Sequence, residues 1–220
     1  MPRTFTVSAT DLVFLREECP RCFYLKVVHR LRRPQQPLPS VFTAIDRAMK
    51  DRLEALLRRG TLPAGRPALP PPELRSHPLP IGNTRWVLRG RPDAVVALDG
   101  GGYAVVDFKT ADAADDALAT RYSPQLHAYA WALEQPQRPQ TPLRPVRALG
   151  LLVFTPARFW LRGADRAGLH GAVRWVPVAR DDAGFRRLLA RTGRLLTGPL
   201  PEPNPRCAWC RWRGEAAPAD

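Results

Sequence analysis

The sequence predicts a mixed α/β domain in which helices flank a central sheet. Apolar residues recur at helical spacing over residues 41–59 and 181–196, and three short β-like runs lie between residues 84 and 110. A continuous apolar run over residues 146–154 is typical of a strand that is buried on both faces. The chain has 220 residues, of which 45% are hydrophobic, so we expect one domain over residues 1–220.

We expect the N-terminal region, residues 8–60, to be helical. Ser8 is of a type that caps helix N-termini, and apolar residues follow it. A short buried helix is predicted over residues 23–28. A longer helix is predicted over residues 41–59, and Gly60 is expected to end it.

A proline cluster over residues 61–80 predicts a surface loop. The core of the domain then spans residues 81–196, and residues 197–213 form an irregular C-terminal segment that carries two cysteines. The predicted core elements are, in chain order, strands 84–90, 93–98 and 103–110, helix 123–134, strands 146–154, 158–162 and 172–178, and helix 181–196. The run Asp99-Gly100-Gly101-Gly102 indicates a hairpin turn between the second and third strands.

Basic residues exceed acidic residues by a wide margin. The chain has 34 Lys and Arg against 20 Asp and Glu, which gives a formal charge of +14 and a pI of about 11.0. Such a surplus favours polyanionic partners, because each phosphate that is neutralised releases counterions. A composition rich in arginine, alanine and proline can also carry this charge without any ligand.

The sequence gives no sign of a membrane or secretory segment. No run approaches the roughly 18 consecutive apolar residues that a membrane span requires. Asp11 and Glu17 interrupt the N-terminal region before any long apolar stretch, so it does not resemble a secretory signal. We therefore expect a cytoplasmic protein that does not associate with membranes.

Four cysteines form two C-x-x-C pairs near opposite ends of the chain, and they are Cys19, Cys22, Cys207 and Cys210. In an intracellular protein such pairs hold a metal more often than they form disulfides. Two pairs complete a tetrahedral site, so the pattern predicts one shared centre, either zinc or a [4Fe–4S] cluster. Separate thiols or a pair of disulfides are the alternatives.

Three charged side chains are expected to meet at the hairpin. A turn at Asp99–Gly102 places Asp93 beside Asp107 or its neighbour. Asp107 and Lys109 are two residues apart and therefore project from the same face of their strand. Two carboxylates suit a divalent metal, and an amine beside them can orient or deprotonate a water. An exposed hairpin with an ordinary ion pair is the alternative.

These residues belong to three short motifs, Gly90-Arg91-Pro92-Asp93, Asp107-Phe108-Lys109-Thr110 and Gln125-Leu126-x-x-Tyr129. In this order the motifs resemble the PD-(D/E)XK nuclease superfamily, and most closely its RecB-like and Cas4-like branch. The resemblance implies a restriction-endonuclease-like fold with a mixed central sheet flanked by helices. It also implies that Asp93, Asp107 and the Phe108 carbonyl bind Mg²⁺ or Mn²⁺.

The same resemblance assigns the remaining active-site roles. Lys109 would position the attacking water, and Gln125 and Tyr129 would line the site and touch the nucleic-acid backbone. The branch usually has a metal-binding histidine on the helix before the sheet, and Asp46 occupies the corresponding position in this sequence. A solvent-facing helix charge is the alternative interpretation of Asp46.

The resemblance extends to the cysteines. Cas4-like and AddB-like nucleases carry an iron–sulfur cluster whose ligands come from both sides of the nuclease core, usually one N-terminal and three C-terminal cysteines. This chain divides them two and two. The resemblance favours a [4Fe–4S] cluster on the four cysteines, with Zn²⁺ as the alternative.

Together these features predict a Mg²⁺- or Mn²⁺-dependent deoxyribonuclease. It would act on single-stranded DNA or on DNA ends, in repair, recombination or CRISPR adaptation. The sequence has no Walker A motif, so strand separation would come from a partner, a helicase or a CRISPR adaptation protein. The alternative is a nucleic-acid-binding module that keeps the fold and the cysteine site without cleaving.

Overall fold

In the described part of the chain, the larger of two mixed sheets carries the hairpin, and helices cover both of its faces. The computed structural model of the protein describes residues 2–13, 15–34, 39–68, 73–112, 114–162 and 165–214. Residues 69–72 of the predicted proline-rich loop therefore lie outside the described residues.

The elements follow in chain order. The strands are β1 (Arg3–Ser8), β2 (Gly65–Pro67), β3 (Leu74–Arg75), β4 (Leu79–Ile81), β5 (Thr84–Gly90), β6 (Ala94–Leu98), β7 (Tyr103–Thr110), β8 (Val146–Arg162) and β9 (Arg166–Val178). The helices are α1 (Ala9–Val13), α2 (Leu15–Glu18), α3 (Pro20–Val28), α4 (Ser40–Lys50), α5 (Leu53–Arg58), α6 (Asp116–Glu134), α7 (Asp182–Thr197) and α8 (Ala208–Trp212).

The larger sheet has the strand order β2-β6-β7-β8-β9. β6 and β7 form the predicted antiparallel hairpin, with Ala94 opposite Val106. α6 connects β7 to β8, which is parallel to β7, and β9 returns antiparallel to β8. The mixed α/β fold predicted from the sequence is confirmed.

Alternation along β7 sends its side chains into two separate cores. Val105 packs in the core that contains α6, whereas Val106 and Phe108 pack in the core that contains α4 and α5. Asp107 and Lys109 share the face of Val105 because they are two and four residues further along the strand. This alternation places both charged residues on the α6 side of the sheet.

A second sheet contains β5, the first of the three strands predicted between residues 84 and 110. β5 pairs in parallel with β1 and antiparallel with β3 and β4. Pro92 follows β5 and lacks the N–H that a continuing ladder would need. The chain therefore leaves one sheet before β6 enters the other. β1 was not predicted, because its two buried residues, Phe5 and Val7, are too few to set a clear pattern.

Two predicted helices have different bounds in the structure. The helix predicted over residues 41–59 is divided between α4 and α5. α6 begins well before the predicted residue 123, because the Asp115 side chain caps it by accepting a hydrogen bond from the Leu118 N–H at 2.9 Å. No helix in the described ranges is long and apolar enough to cross a membrane.

The late strands are longer than predicted. The runs predicted as separate strands over 146–154 and 158–162 form one continuous strand, β8. A register shift after Pro156 lets β8 stay paired with β9. β9 begins at Arg166 rather than at residue 172. The predicted loop over residues 61–80 contains the short strands β2, β3 and β4.

Candidate active site and cysteine centre

The hairpin brings the two predicted carboxylates together. Ala94 pairs with Val106, so the next residues along the two strands, Asp93 and Asp107, are opposite each other. Asp93 Oδ2 accepts a hydrogen bond from the Phe108 backbone N–H at 2.7 Å. In extended backbone the N–H and C=O of one residue point to the same side, so the Phe108 carbonyl also faces Asp93.

Lys109 completes a group of three charges at the end of β7. Its ammonium forms an ion pair with Asp107, whose side chain is only 3% exposed. Lys109 Nζ also lies 4.5 Å from the centroid of the Tyr122 ring, which is a cation–π distance. The buried carboxylate and the aromatic ring together hold the Lys109 amine in one place.

α6 contributes Gln125 and Tyr129 from a single face, because the two residues are one helical turn apart. Gln125 Nε2 donates hydrogen bonds to Asp107 Oδ1 at 3.2 Å and to Tyr129 Oη at 3.0 Å. Gln125 Oε1 is buried and has no hydrogen-bond partner in the described part of the chain. An unpaired buried acceptor is costly, so this oxygen is suited to a donor that arrives with bound water or substrate.

Tyr129 also packs directly against the backbone of the first motif. A Cβ at Gly90 would come within 2.7 Å of Tyr129 Cε1, and Gly90 has a φ of +157°. Only glycine allows both this close approach and this backbone conformation. Gly90 therefore brings β5 and α6 together beside the carboxylates.

Burial dominates the ionisation of the site. It raises the pKa of Asp107 to about 6; the Lys109 ammonium opposes this rise, and the Asp93 carboxylate adds to it. Burial also raises the pKa of Tyr129 to about 12, with the Asp107 charge as the next cause. Tyr129 is therefore a neutral hydrogen-bonding group at neutral pH. The raised pKa of Asp107 indicates that a further cation would stabilise its charge.

Lys50 belongs to the site although it was not predicted. Lys50 Nζ lies 2.8 Å from Asp93 Oδ1 and 2.7 Å from Asp46 Oδ2, so it connects α4 to the hairpin. Burial disfavours its charge, but the hydrogen bonds to Asp46 and Asp93 outweigh burial and raise the pKa of Lys50. Lys50 follows Asp46 at the spacing of an ordinary helical ion pair, so the sequence carried no signal for its contact with Asp93.

The structure therefore brings together all the residues predicted for the active site, which are Asp46, Asp93, Asp107, Phe108, Lys109, Gln125 and Tyr129. Carboxylate and carbonyl oxygens are the ligands that Mg²⁺ and Mn²⁺ prefer. The site has three carboxylates against the two ammonium groups of Lys50 and Lys109. A bound cation would therefore offset the negative charge that remains. The residues present thus fit a divalent metal ion.

The four cysteines meet at a separate buried place. Cys19 Sγ lies 3.6 Å from Cys210 Sγ, and Cys22 Sγ lies 3.8 Å from Cys207 Sγ. All four sulfurs lie within 4.8 Å of one another. A single tetrahedral ion with metal–sulfur bonds of about 2.3 Å places its sulfurs roughly 3.8 Å apart. The predicted joining of the N- and C-terminal segments is confirmed.

The pKa of Cys207 is shifted in the opposite direction to those of Cys22 and Cys210, which burial raises. Burial raises the pKa of Cys22 to about 12. Burial also opposes ionisation of Cys207, but hydrogen bonds from the Cys210 and Trp209 backbone and from neighbouring thiols lower the pKa of Cys207 to about 7. Four ionised sulfurs at this spacing would repel one another strongly. A bound cation is the group that would hold them as thiolates.

Arg33 is a second unpredicted residue, and it lies beside the cysteines. Its guanidinium donates hydrogen bonds to Cys207 Sγ at 3.3 Å and to a Glu18 carboxylate oxygen at 2.7 Å. The Arg33 side chain is 18% exposed, so its charge is close to the sulfurs and partly shielded from water. Arg33 lies in the connector after α3, where no motif marks it.

Comparisons with solved structures, curated proteins and family models differ in what they match. Among solved structures, the chain is similar to one entitled "Crystal structure of SSO0001", with 18% identity, a TM-score of 0.46, and coverage of 94% of this chain and 84% of that chain. A search of curated proteins found no match. The model of the PD-(D/E)XK nuclease superfamily matches residues 35–214, which include the whole hairpin, α6 and the two C-terminal cysteines. Because this match covers most of the chain, the protein belongs to the PD-(D/E)XK nuclease superfamily.

Proposed function

We propose that the protein is a Mg²⁺- or Mn²⁺-dependent nuclease that hydrolyses phosphodiester bonds in DNA. The observation that carries the proposal is the convergence of Asp93, Asp107 and Lys109 at the end of β7. Membership of the superfamily supports a nucleic-acid substrate and a divalent metal. The formal charge of +14 supports a polyanionic substrate as well.

The acidic residues and Lys109 have different roles in this mechanism. Asp93, Asp107 and the Phe108 carbonyl would hold the ion, with Asp46 as a further oxygen ligand. A bound divalent ion polarises the phosphoryl group and lowers the pKa of a water. Lys109 orients the attacking water, because its amine is fixed against Asp107.

Gln125 and Tyr129 support this arrangement from α6. Gln125 Nε2 holds the Asp107 carboxylate, which leaves Gln125 Oε1 to accept a hydrogen bond from water. The Tyr129 phenol stays neutral and can donate to a phosphate oxygen. The water oxygen then forms the new bond to phosphorus and loses a proton to solvent, while the bond to the leaving oxygen of the nucleotide breaks and that oxygen takes up a proton from solvent.

We place the protein in the RecB-like and Cas4-like branch, acting on single-stranded DNA or DNA ends in repair, recombination or CRISPR adaptation. The order of the three motifs and the meeting of N- and C-terminal cysteines support this placement. Strand separation of duplex substrates would come from another protein, such as a helicase.

We infer that the cysteine centre holds a structural metal. The sulfur spacing supports one tetrahedral ion such as Zn²⁺, because each thiolate of a [4Fe–4S] cluster binds a different iron and the sulfurs then lie farther apart. The resemblance to iron–sulfur nucleases supports the cluster instead. Metal analysis of anaerobically purified protein separates the two: a colourless protein with zinc supports the single ion, and a brown protein with iron supports the cluster.

The nuclease proposal is tested by incubating the purified protein with Mn²⁺ or Mg²⁺ and with labelled single-stranded DNA, duplex DNA and RNA. We expect cleavage of single-stranded DNA that stops when the ion is chelated. A Lys109→Ala variant purified in parallel controls for contaminating nucleases, and we expect it to be inactive. Binding without cleavage by the wild type would overturn the proposal in favour of a non-catalytic binding module.

Lys50 is expected to compete with the metal ion. A Lys50→Met variant should bind Mn²⁺ about tenfold more tightly, because the ammonium occupies the Asp46 and Asp93 oxygens and repels a second cation. Titration of free Mn²⁺ by electron paramagnetic resonance measures this affinity without any cleavage assay. An unchanged Mn²⁺ affinity would contradict this prediction, because it would show that the Lys50 ammonium does not affect the bound ion.

The same background tests Asp46 as a ligand. In Lys50→Met, a further Asp46→Asn replacement should weaken Mn²⁺ binding again, because Asp46 then contributes an oxygen ligand. If Asp46 serves only as the partner of Lys50, the second replacement will leave the affinity of the first variant unchanged. In the wild-type protein, Asp46→Asn would also remove an ion-pair partner of Lys50. The loss of a metal ligand could then not be distinguished from the release of Lys50.

A further inference from the structure

β8 and β9 continue well beyond the end of β7. β8 is paired with β7 only as far as Phe154, which lies opposite Thr110. Beyond that point β8 is paired with β9 alone in the described residues, up to Arg162 opposite Arg166. We call residues 155–162 and 166–172 the arm. Because β7 and β8 are parallel, the arm projects from the sheet edge at which Lys109 lies.

The register identifies which face of the arm continues the active site. Val153 is paired with Lys109 on one side and with Arg174 on the other, so these three side chains share a face of the sheet. β9 alternates without interruption from Arg174 toward the end of the arm. The paired positions that continue this face are Thr155–Ala172, Arg158–His170, Trp160–Gly168 and Arg162–Arg166.

Trp160 lies flat across the neighbouring strand on this face. A Cβ at Gly168 would come within 2.3 to 2.5 Å of three indole atoms of Trp160, so the ring occupies the space that only glycine leaves open. The indole is nevertheless 43% exposed. One side of the ring therefore packs on the backbone of β9, and its other side is available to a ligand.

The same face is strongly basic. Arg158, Arg162, Arg166 and Arg174 are all exposed, and none of them belongs to an ion pair of the described residues. The paired positions of this face contain no acidic residue. The opposite face is apolar: Phe159 is 65% exposed and Leu161 is 73% exposed. The two faces of the arm thus differ sharply in chemistry.

We propose that the basic face of the arm binds single-stranded nucleic acid as it leaves the active site, an inference that rests on the proposed nuclease function. Trp160 is about 20 Å beyond the row of Lys109 at roughly 3.3 Å per strand residue, a span of about six stacked nucleotides. The indole stacks on an unpaired base, and the arginines bind the flanking phosphates. Phosphates complement the charge of this face, whereas a partner of apolar chemistry would suit the opposite one.

The test measures the affinity for a fluorescent 20-nucleotide single strand in the presence of chelator, so that binding is independent of cleavage. We expect Trp160→Ala to weaken binding about tenfold, because the alanine variant loses base–aromatic stacking. Trp160→Phe keeps an aromatic ring and should retain most of the affinity. Leu161→Ala is the matched control, since it alters the adjacent residue on the opposite face and should leave the affinity unchanged. A blunt duplex offers no unstacked base, so Trp160→Ala should not alter its binding.

Salt dependence tests the arginines. The triple variant Arg158→Gln, Arg162→Gln, Arg166→Gln should reduce the slope of log affinity against log salt by about 2, at about 0.7 per phosphate contact of a single strand. An unchanged slope, or equal effects of Trp160→Ala and Leu161→Ala, would overturn the proposal. A wild type that binds through the arm without cleaving overturns only the nuclease proposal. If the wild type cleaves and the arm variants bind with wild-type affinity, only the proposal that the arm binds nucleic acid is overturned.

Discussion

Replacing Asp107 with asparagine is expected to reduce cleavage about a thousandfold while leaving the protein folded. In the proposed mechanism Asp107 is a charged metal ligand, so the variant would lose that ligand, and it also loses the ion-pair partner of Lys109. Metal polarisation of a phosphoryl group is worth several kcal/mol, and about 4 kcal/mol corresponds to a factor near a thousand. The measurement is the single-turnover cleavage rate of labelled DNA at saturating Mn²⁺.

The stability of this variant follows from the raised pKa of Asp107. A carboxyl group whose pKa is higher in the folded protein stabilises the fold at low pH, and that contribution is lost as the pH rises to about 6. Asparagine cannot ionise, so the variant should lack this decline. In metal-free buffer, urea unfolding should therefore show an Asp107→Asn protein at least as stable as the wild type at pH 7.

Asp99 provides the matched control for this prediction. Asp99 lies at the exposed turn of the same hairpin, so Asp99→Asn makes the same chemical change away from the site. We expect it to keep wild-type cleavage. Comparable activity in Asp107→Asn and Asp99→Asn would contradict the assignment of Asp107 as a metal ligand.

The central part of the site could be predicted because local rules determine it. A glycine-rich turn at residues 99–102 sets the hairpin register, and the two-residue period of a strand then determines which side chains share a face. These two rules place Asp93 opposite Asp107 and put Lys109 on the same side. The pair Gln125 and Tyr129 follows from the helical period in the same way.

Contacts between distant elements could not be predicted in this way. Lys50 reaches Asp93 only because α4 docks on the face of the sheet opposite α6, and no periodic pattern encodes that docking. Arg33 lies in an irregular connector, where neither a helical nor a strand period applies. The assignment of β5 to a second sheet depends on β1, whose short apolar pattern carries little information.

The largest effect on folding is expected from the cysteine centre. Replacing Cys19 with serine should lower the free energy of unfolding by about 5 kcal/mol, the stabilisation expected from a cross-link that closes a loop of nearly 200 residues. The metal would join Cys19 to Cys210, so almost the whole chain lies within the closed loop. Urea unfolding of metal-loaded protein measures this loss.

Loss of the cysteine centre in Cys19→Ser should also release the C-terminal segment, residues 197–213, from the rest of the domain. Apart from the cysteines, hydrogen bonds hold this segment to the N-terminal helices, including Arg21 to the Pro201 carbonyl at 2.6 Å and Asn204 to the Glu18 carbonyl at 3.1 Å. These contacts are partly or fully exposed to water and therefore contribute little alone. Limited proteolysis of Cys19→Ser should cut within residues 198–206 before the core unfolds.

Non-additivity distinguishes a metal centre from ordinary packing of buried thiols. If one ion binds all four sulfurs, the first serine already abolishes binding, so Cys19→Ser with Cys210→Ser should lose little more than Cys19→Ser alone. Wild-type protein stripped of metal should then match the single variant in stability. Two independent packing contacts would instead give losses that add, and stripping the metal would leave the wild type unchanged.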